Sequence, residues 1–313
     1  MDIISDMRKI YGRGETVVDI LFKDNSVQTA KPGGSVLNAM VSLGRCGAPA
    51  SFISEYGEDG VGDFIGDFLE KNGVSVDYVT RKSNKLTSLS MAFLDSAGKA
   101  SYSFYHDPNN KFHNIFFPEL SNDEALLFGS SSALWTDVRD DMMKCVGKAK
   151  DEGAFILYDP NFRKNHAADL PLYMKMIVEN MSVASVVKGS DEDFINIFGT
   201  PSPDEAWKVV SQYTDCMIYT AGASDVFVYT PSYKGVYDVP KIVPVSTVGA
   251  GDNFNAGVLF SVFKEKIHSK DIPSLKEPDW RRIITTAISF ASHVCCSYDN
   301  YVSEDFGKEM QII

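Results

Sequence analysis

The sequence predicts an α/β fold of parallel strands and crossover helices that carries one antiparallel hairpin. Three observations lead there. Short β-rich runs alternate with helical periods along most of the chain, as they do when strands are joined by crossover helices. Several of those runs are continuously apolar, as expected of strands buried on both sheet faces. One stretch, 86–105, breaks the alternation with two strand-like runs around the turn Asp95-Ser96-Ala97-Gly98.

Taken in order, Gly14-Glu15-Thr16-Val17-Val18-Asp19 reads as a first strand that delivers an acid at its C-terminal end, where ligands bind in open α/β sheets. Lys31-Pro32-Gly33-Gly34-Ser35 precedes Val36, Leu37, Met40 and Val41, which marks a helix start with Asn38 about one turn in. Paired glycines let a polyhydroxy ligand approach the main chain, and an asparagine both donates to and accepts from its hydroxyls. Alone, Asp19 reads equally as a surface turn residue and Gly33-Gly34 as a plain turn. Apolar residues at 61, 64, 65, 68 and 69, with Gly73 beyond, predict an amphipathic helix with a glycine stop. In the 86–105 hairpin, Tyr102, Phe104 and Tyr105 are expected near solvent or a partner surface; an edge hairpin of the main sheet is the alternative.

Met142, Met143, Val146 and Ala149 line one helical face before Gly153, and 154–158 is an apolar strand. Runs 183–187 and 216–220 repeat the pattern. Then a β-branched run ending in Val243-Pro244-Val245 leads to Gly249-Ala250-Gly251-Asp252, with a helix expected to begin near Asp252. Free N–H groups and the positive end of a helix dipole form an anion site without any basic side chain. Asp252 beside them can accept a hydroxyl proton, although a helix N-terminus favours the ionised carboxylate and so weakens it as a base. By itself the segment is as readily a tight turn capped by Asp252.

Composition narrows the function. The 313 residues include 42 acidic and 30 basic side chains, a formal charge of −12, and 44% are apolar. Such an acidic chain argues against nucleic acid or an anionic membrane as partner, since both demand a basic patch. Five cysteines, with Cys295 and Cys296 adjacent and no Cys-x-x-Cys, suggest a reducing compartment without a disulfide framework. Met1 to Asp6 has no leader pattern, and apolar runs fall short of the ~18 residues of a membrane span, so a cytoplasmic location is expected. The histidines at 106, 113, 166, 268 and 293 lack metal-ligand spacing. No Gly-x-Gly-x-x-Gly follows the first strand, which argues against a dinucleotide oxidoreductase. No repeat or linker divides the chain.

Together these motifs resemble the ribokinase-like sugar kinases, with the fructokinases closest. Gly33, Gly34 and Asn38 match the first family signature, and Thr247 to Asp252 the second, Asp-Thr-x-Gly-Ala-Gly-Asp. Tyr56-Gly57-Glu58-Asp59-Gly60-Val61-Gly62 resembles the Gly-x-Asp-x-x-Gly segment, and Tyr158-Asp159-Pro160-Asn161-Phe162-Arg163 the Asp-Pro-Asn-x-Arg of ketosugar kinases. The resemblance covers about residues 12 to 300. It implies one three-layer α/β/α domain over 1–313 with a mostly parallel central sheet and a small β-sheet lid formed by about 18–31 and 85–107.

The resemblance further implies an ATP-dependent kinase that transfers the γ-phosphoryl group to a terminal hydroxyl of a sugar, with fructose expected. 2-Keto-3-deoxygluconate, ribose or a nucleoside are the alternatives, and a non-catalytic sugar sensor is a further one. Asp252 would be the base, and Gly249, Ala250 and Gly251 the anion hole. Asp19, Gly33, Gly34 and Asn38 would hold the sugar, and Asn161 and Arg163 would lie near the sugar or phosphate. Lys188, Ser190, Asp193, Thr220, Gly222 and Ser292 would lie on the nucleotide side, with Asp193 acting on Mg²⁺ through water. A monovalent cation such as K⁺ and a homodimer through the lid belong to the same expectation. Ser246 stands where most members have Asp, Ser190 and Asp193 stand for Asn and Glu, and Asp225 for a second glycine. The acidic run 191–193 reads equally as the solvated first turn of a helix.

Overall fold

The structure, a computed structural model, describes residues 8–24, 26–94, 100–107, 115–163 and 168–311. The expectations for Met1 to Asp6, the turn at 95–98, the side chain of Tyr102, His113 and His166 lie outside the described residues. In chain order the strands are β1 (Ile10–Arg13), β2 (Val17–Lys23), β3 (Ser26–Gly33), β4 (Ala50–Gly57), β5 (Val74–Lys82), β6 (Leu89–Leu94), β7 (Ala100–Tyr105), β8 (Ala125–Gly129), β9 (Phe155–Asp159), β10 (Val186–Ser190), β11 (Met217–Thr220), β12 (Val226–Thr230) and β13 (Tyr233–Tyr237). The helices are α1 (Ser35–Arg45), α2 (Gly60–Lys71), α3 (Arg139–Asp151), α4 (Leu170–Val183), α5 (Asp191–Phe198), α6 (Pro203–Val210), α7 (Ala250–Lys264), α8 (Glu277–Cys295) and α9 (Glu304–Met310).

Nine strands form the main sheet in the order β13-β12-β11-β10-β9-β8-β1-β4-β5. Neighbours from β5 to β11 run parallel, and β12 and β13 close one edge antiparallel. Alternation along the buried strands explains the two helical layers. In β9, Phe155 and Leu157 join a core with α1, α2, α7 and α8, whereas Ile156 and Tyr158 join a second core with α3, α4, α5 and α6. Period-two side chains buried on both faces give the continuous apolar text seen in the sequence. Among the described residues no helix is long and apolar enough to cross a membrane, and all five cysteines are free.

A second, four-stranded sheet has the order β3-β2-β6-β7. It unites the two segments anticipated as a lid, and the 86–105 hairpin belongs to it rather than to an edge of the main sheet. Phe104 and Tyr105 are 61% and 54% exposed on it.

Two local readings are corrected, and a third segment is irregular. The strand reading of 14–19 fails: β1 ends at Arg13, and Asp19 lies inside β2 of the second sheet, between Lys31 on β3 and Ser90 on β6. Val183 closes α4, so the strand expected at 183–187 begins at Val186. The β-branched run before Gly249 is not a strand. It lies at the surface with Val243 91% exposed, and its main chain is held by Cys295, whose carbonyl accepts from the amides of Val245 (2.8 Å) and Ser246 (3.3 Å).

Candidate active site

The candidate residues gather at the C-terminal ends of the parallel strands, the side on which open α/β sheets bind ligands. Two glycine-led helix starts meet there. At the first, Gly34 caps α1 with φ 137°, a conformation that side chains resist, and a Cβ at 34 would stand 2.4 Å from the Glu15 carbonyl oxygen. Gly33 is equally constrained, because a Cβ there would fall 2.2 Å from Asp19 Oδ2. The carboxylate of Asp19 therefore occupies the space that glycine leaves. Burial pushes the Asp19 carboxyl above its ordinary range, and the Ser90 hydroxyl opposes that shift.

At the second start, α7 begins at Ala250, two residues before the expected position, and its N-cap is Gly249 at φ 80°. A Cβ at 249 would lie 2.7 Å from the Asn300 carbonyl oxygen, so only glycine fits that wall. Asp252 is consequently not the cap but a first-turn residue. The Ala250 amide turns back to the Thr247 carbonyl at 3.3 Å, whereas those of Gly249 and Gly251 have no acceptor among the described residues. These free amides at the positive end of a 15-residue helix suit an anion.

Asp252 joins the two starts. Ser35 Oγ donates to its Oδ1 at 2.6 Å and Asn38 Nδ2 to its Oδ2 at 2.9 Å. Burial raises the Asp252 pKa above the usual carboxylate range, these two hydrogen bonds work against the rise, and the nearby Asp159 charge adds to it. The start of α7 favours the ionised carboxylate, and burial acts on Asp252 in the opposite direction. Asn38 is buried, and its Oδ1 has no partner among the described residues, nor has the buried Thr16 Oγ1 just before β2. Such unmet buried groups point to a polar ligand.

Behind the loop, β9 and β10 end on a buried ion pair. Lys188 Nζ donates to Asp159 Oδ2 at 3.0 Å. Burial works to discharge Lys188, but the carboxylates of Asp159 and Asp193 outweigh it and hold the ammonium above the ordinary lysine value. Ser190 and Asp193 form the capping box that starts α5. Both oxygens of Asp193 face protein donors: Oδ1 accepts from the Phe162 amide at 2.6 Å, and Oδ2 from the amide and hydroxyl of Ser190, each at 2.7 Å. Among the described residues no group of three or more His, Cys, Asp or Glu side chains is placed to hold a metal ion. Asp193 thus serves the start of α5 and also holds the Phe162 amide.

The remaining candidates are spread more widely. Asn161 holds φ 43°, which asparagine tolerates, with its amide on Asp159 Oδ1 at 3.1 Å. Arg163 is exposed and bonds nothing among the described residues. Thr220 pairs in register with Ser190 at the ends of β11 and β10, Gly222 turns at φ 56° in open space, and Ser292 is half-buried on α8.

Residues 16–296 match the profile described as pfkB family carbohydrate kinase. The chain belongs to that family. As a carbohydrate kinase it is fructokinase-like: a probable fructokinase-4 of Arabidopsis thaliana is 26% identical over 283 residues, covering 84% of this chain and 85% of the relative. Among solved structures, a double mutant of fructokinase from Vibrio cholerae O395, in a fructose, ADP and potassium ion bound form, superposes with a TM-score of 0.84 at 20% identity, covering 98% and 99% of the two chains. Aminoimidazole riboside kinase from Salmonella enterica, complexed with aminoimidazole riboside and an ATP analog, gives 0.82 at 21% identity, covering 97% and 98%. These likenesses establish the three-layer ribokinase fold with its smaller second sheet.

Three residues of this kinase escaped the sequence reading. Ser35 follows the paired glycines and was visible only as the first residue of a helix. Asp159 stood inside a quoted motif without a role. Asn255 lies three residues after Asp252, hence on the same face of α7, a spacing that could have found it.

Proposed function

We propose that this kinase transfers the γ-phosphoryl group of ATP to a terminal hydroxyl of a sugar, with fructose as acceptor. The observation that carries the reading is the placement of Asp252: a partly buried carboxylate in the first turn of α7, held by Ser35 and Asn38 from the start of α1. In that position it takes the proton of a hydroxyl whose oxygen attacks a phosphoryl group resting on the Gly249 and Gly251 amides. Asp19, Gly33, Gly34 and Asn38 Oδ1 would meet the other hydroxyls.

ATP would come as its Mg²⁺ complex, the metal carried by phosphates and water in the usual way of Mg²⁺. The second sheet would act as a lid that excludes water and so suppresses ATP hydrolysis. Its exposed Phe93, Phe104 and Tyr105 suit a homodimer contact, which sedimentation would test. A monovalent cation belongs to the same proposal. Ser246 offers a hydroxyl, already accepting from the Val248 amide at 3.2 Å, where a carboxylate was expected, so a comparison of rates in K⁺ and in a bulky organic cation is informative.

Support for fructose comes from the fructokinase relatives. A riboside is the second acceptor class, favoured by the riboside kinase neighbour. An acid sugar is the third acceptor class, for which the exposed Arg163 would supply a guanidinium to its carboxylate. ADP release with Mg-ATP and fructose, ribose, a nucleoside or 2-keto-3-deoxygluconate tests the proposal. Preferential turnover of fructose is expected, and no turnover of any acceptor would sink the kinase mechanism.

A further inference from the structure

The buried pair Asp159–Lys188 holds more donor capacity than it uses. An ammonium carries three N–H donors; Lys188 spends one on Asp159 Oδ2 at 3.0 Å and bonds no other acceptor among the described residues, while its side chain is 5% exposed. Asp159 is better used, with both its oxygens accepting. Its Oδ2 also accepts from Asn255 Nδ2 at 2.6 Å, and its Oδ1 from the Asn161 amide at 3.1 Å. The ammonium lies directly against the glycine loop, for a Cβ built on Gly251 would stand 3.3 Å from Lys188 Nζ.

A buried ion pair kept for stability alone is a poor device, because an apolar pair of similar volume often does as well. Leaving two ammonium donors unmet in a dry site makes it worse. The unmet donors sit beside the free Gly251 amide, so two independent features, a helix start and a buried cation, face one place.

We infer that Lys188 is a catalytic residue which contacts the transferring phosphoryl group, and that Asp159 and Asn255 are positioning residues which aim it. The inference rests on the kinase reading above. In the step, the bond from Pγ to the β–γ bridging oxygen breaks and its electron pair leaves with ADP. A bond from the sugar oxygen to Pγ forms, and the hydroxyl proton passes to Asp252. Lys188 exchanges no proton; it hydrogen-bonds the oxygens of the phosphoryl group in flight, where the charge is spread in a loose transition state. Asp159 fixes the direction of the ammonium, and Asn255 ties Asp159 to the helix that carries Asp252.

Steady-state kinetics of the full chain, with Mg-ATP and the sugar that the wild type turns over, test this. Lys188→Met should lower kcat about 10²- to 10³-fold, the usual effect of losing one preorganised donor, with the KM for sugar within about twofold. Binding of ADP with aluminium fluoride and sugar should weaken in step with kcat, while binding of ADP alone stays level. Because Lys188→Met strands the Asp159 charge, the double variant Lys188→Met/Asp159→Asn is the decisive control. It restores neutrality, should fold, and should remain as slow as the single variant. Asn255→Ala should lower kcat with unchanged sugar KM, and Lys188→Arg should recover part of the rate.

Wild-type kcat in Lys188→Met, recovery of the rate in the neutral double variant, or an equal loss of ADP affinity would overturn the inference. A wild type that turns over no sugar would instead overturn the kinase reading itself.

Discussion

Removing one hydroxyl, in Ser35→Ala, tests the assignment of the base. Ser35 Oγ donates to Asp252 Oδ1 at 2.6 Å, and Gly34 rather than Ser35 caps α1, without any side-chain cap bond, so the helix should survive the change. Hydrogen bonds to charged groups contribute about 1.5–3 kcal/mol. Asp252 is only partly buried, which favours the lower end, about 1.5 kcal/mol or about tenfold in proton affinity. The bond stabilises the ionised carboxylate against the burial that raises its pKa, so its loss moves that pKa further up. A base works ionised; activity is lost as pH falls through the folded pKa, and the acid limb of kcat/KM should therefore shift to higher pH. The plateau above it should hardly fall. The assay is ADP release across pH at saturating Mg-ATP and subsaturating sugar. An acid limb that stays in place, or moves to lower pH, would show that Asp252 is not the titrating base.

Asp252→Asn should reduce kcat about 10²- to 10⁴-fold while sugar binding, followed by calorimetry, persists. The same variant should melt higher at neutral pH. A carboxyl whose folded pKa is raised contributes stability below its unfolded value and loses it as pH rises through the folded one. Gly34→Ala places a Cβ 2.4 Å from the Glu15 carbonyl oxygen at φ 137°, and a loss of at least about 2 kcal/mol is expected from denaturant titration; an unchanged midpoint would refute the steric argument. Lys31 of the second sheet pairs with Asp299 beside the α7 start, both partly exposed. A double-mutant cycle should give a coupling of at most about 1 kcal/mol that fades with salt.

How far this site was legible depended on whether its signal was local. Gly33, Gly34 and Gly249 to Gly251 were readable because a close approach or a positive φ admits only glycine, and that constraint is written at one position. The apolar run 154–158 was readable because burial on both faces leaves no polar alternation. Asp19 was assigned to the wrong sheet, since nothing in 14–19 reveals that β1 stops at Arg13 and that the chain crosses over. The Ser35–Asp252 contact spans 217 residues and has no local signature at all. Ser190 and Asp193 carried a signal with two meanings, because a serine followed three residues later by an acid is both a capping box and a place to look for a metal ligand. The run before Gly249 is β-branched yet forms no strand, because such composition measures fit to a pleated, half-buried surface, and Val243 has no such surface to fit.

The formal charge of −12 raises the question of how such a chain receives a polyphosphate. Net charge acts over distance, and salt screens it beyond about 8 Å under physiological conditions, so what the phosphates meet is set by the nearest groups. Three carboxylates stand close to the loop, yet each is turned into protein donors: Asp252 to Ser35 and Asn38, Asp159 to Lys188, Asn255 and the Asn161 amide, Asp193 to Ser190 and the Phe162 amide. Donors that satisfy a carboxylate also draw its field inward, leaving the Gly249 and Gly251 amides and the dipole of α7 for an anion, with the buried Lys188 ammonium beside Gly251. Acidic residues are therefore compatible with the chemistry because they hold the donors in place. A basic patch would attract the nucleotide more strongly but would stabilise bound ATP and the transition state alike, and uniform binding of that kind does not raise kcat.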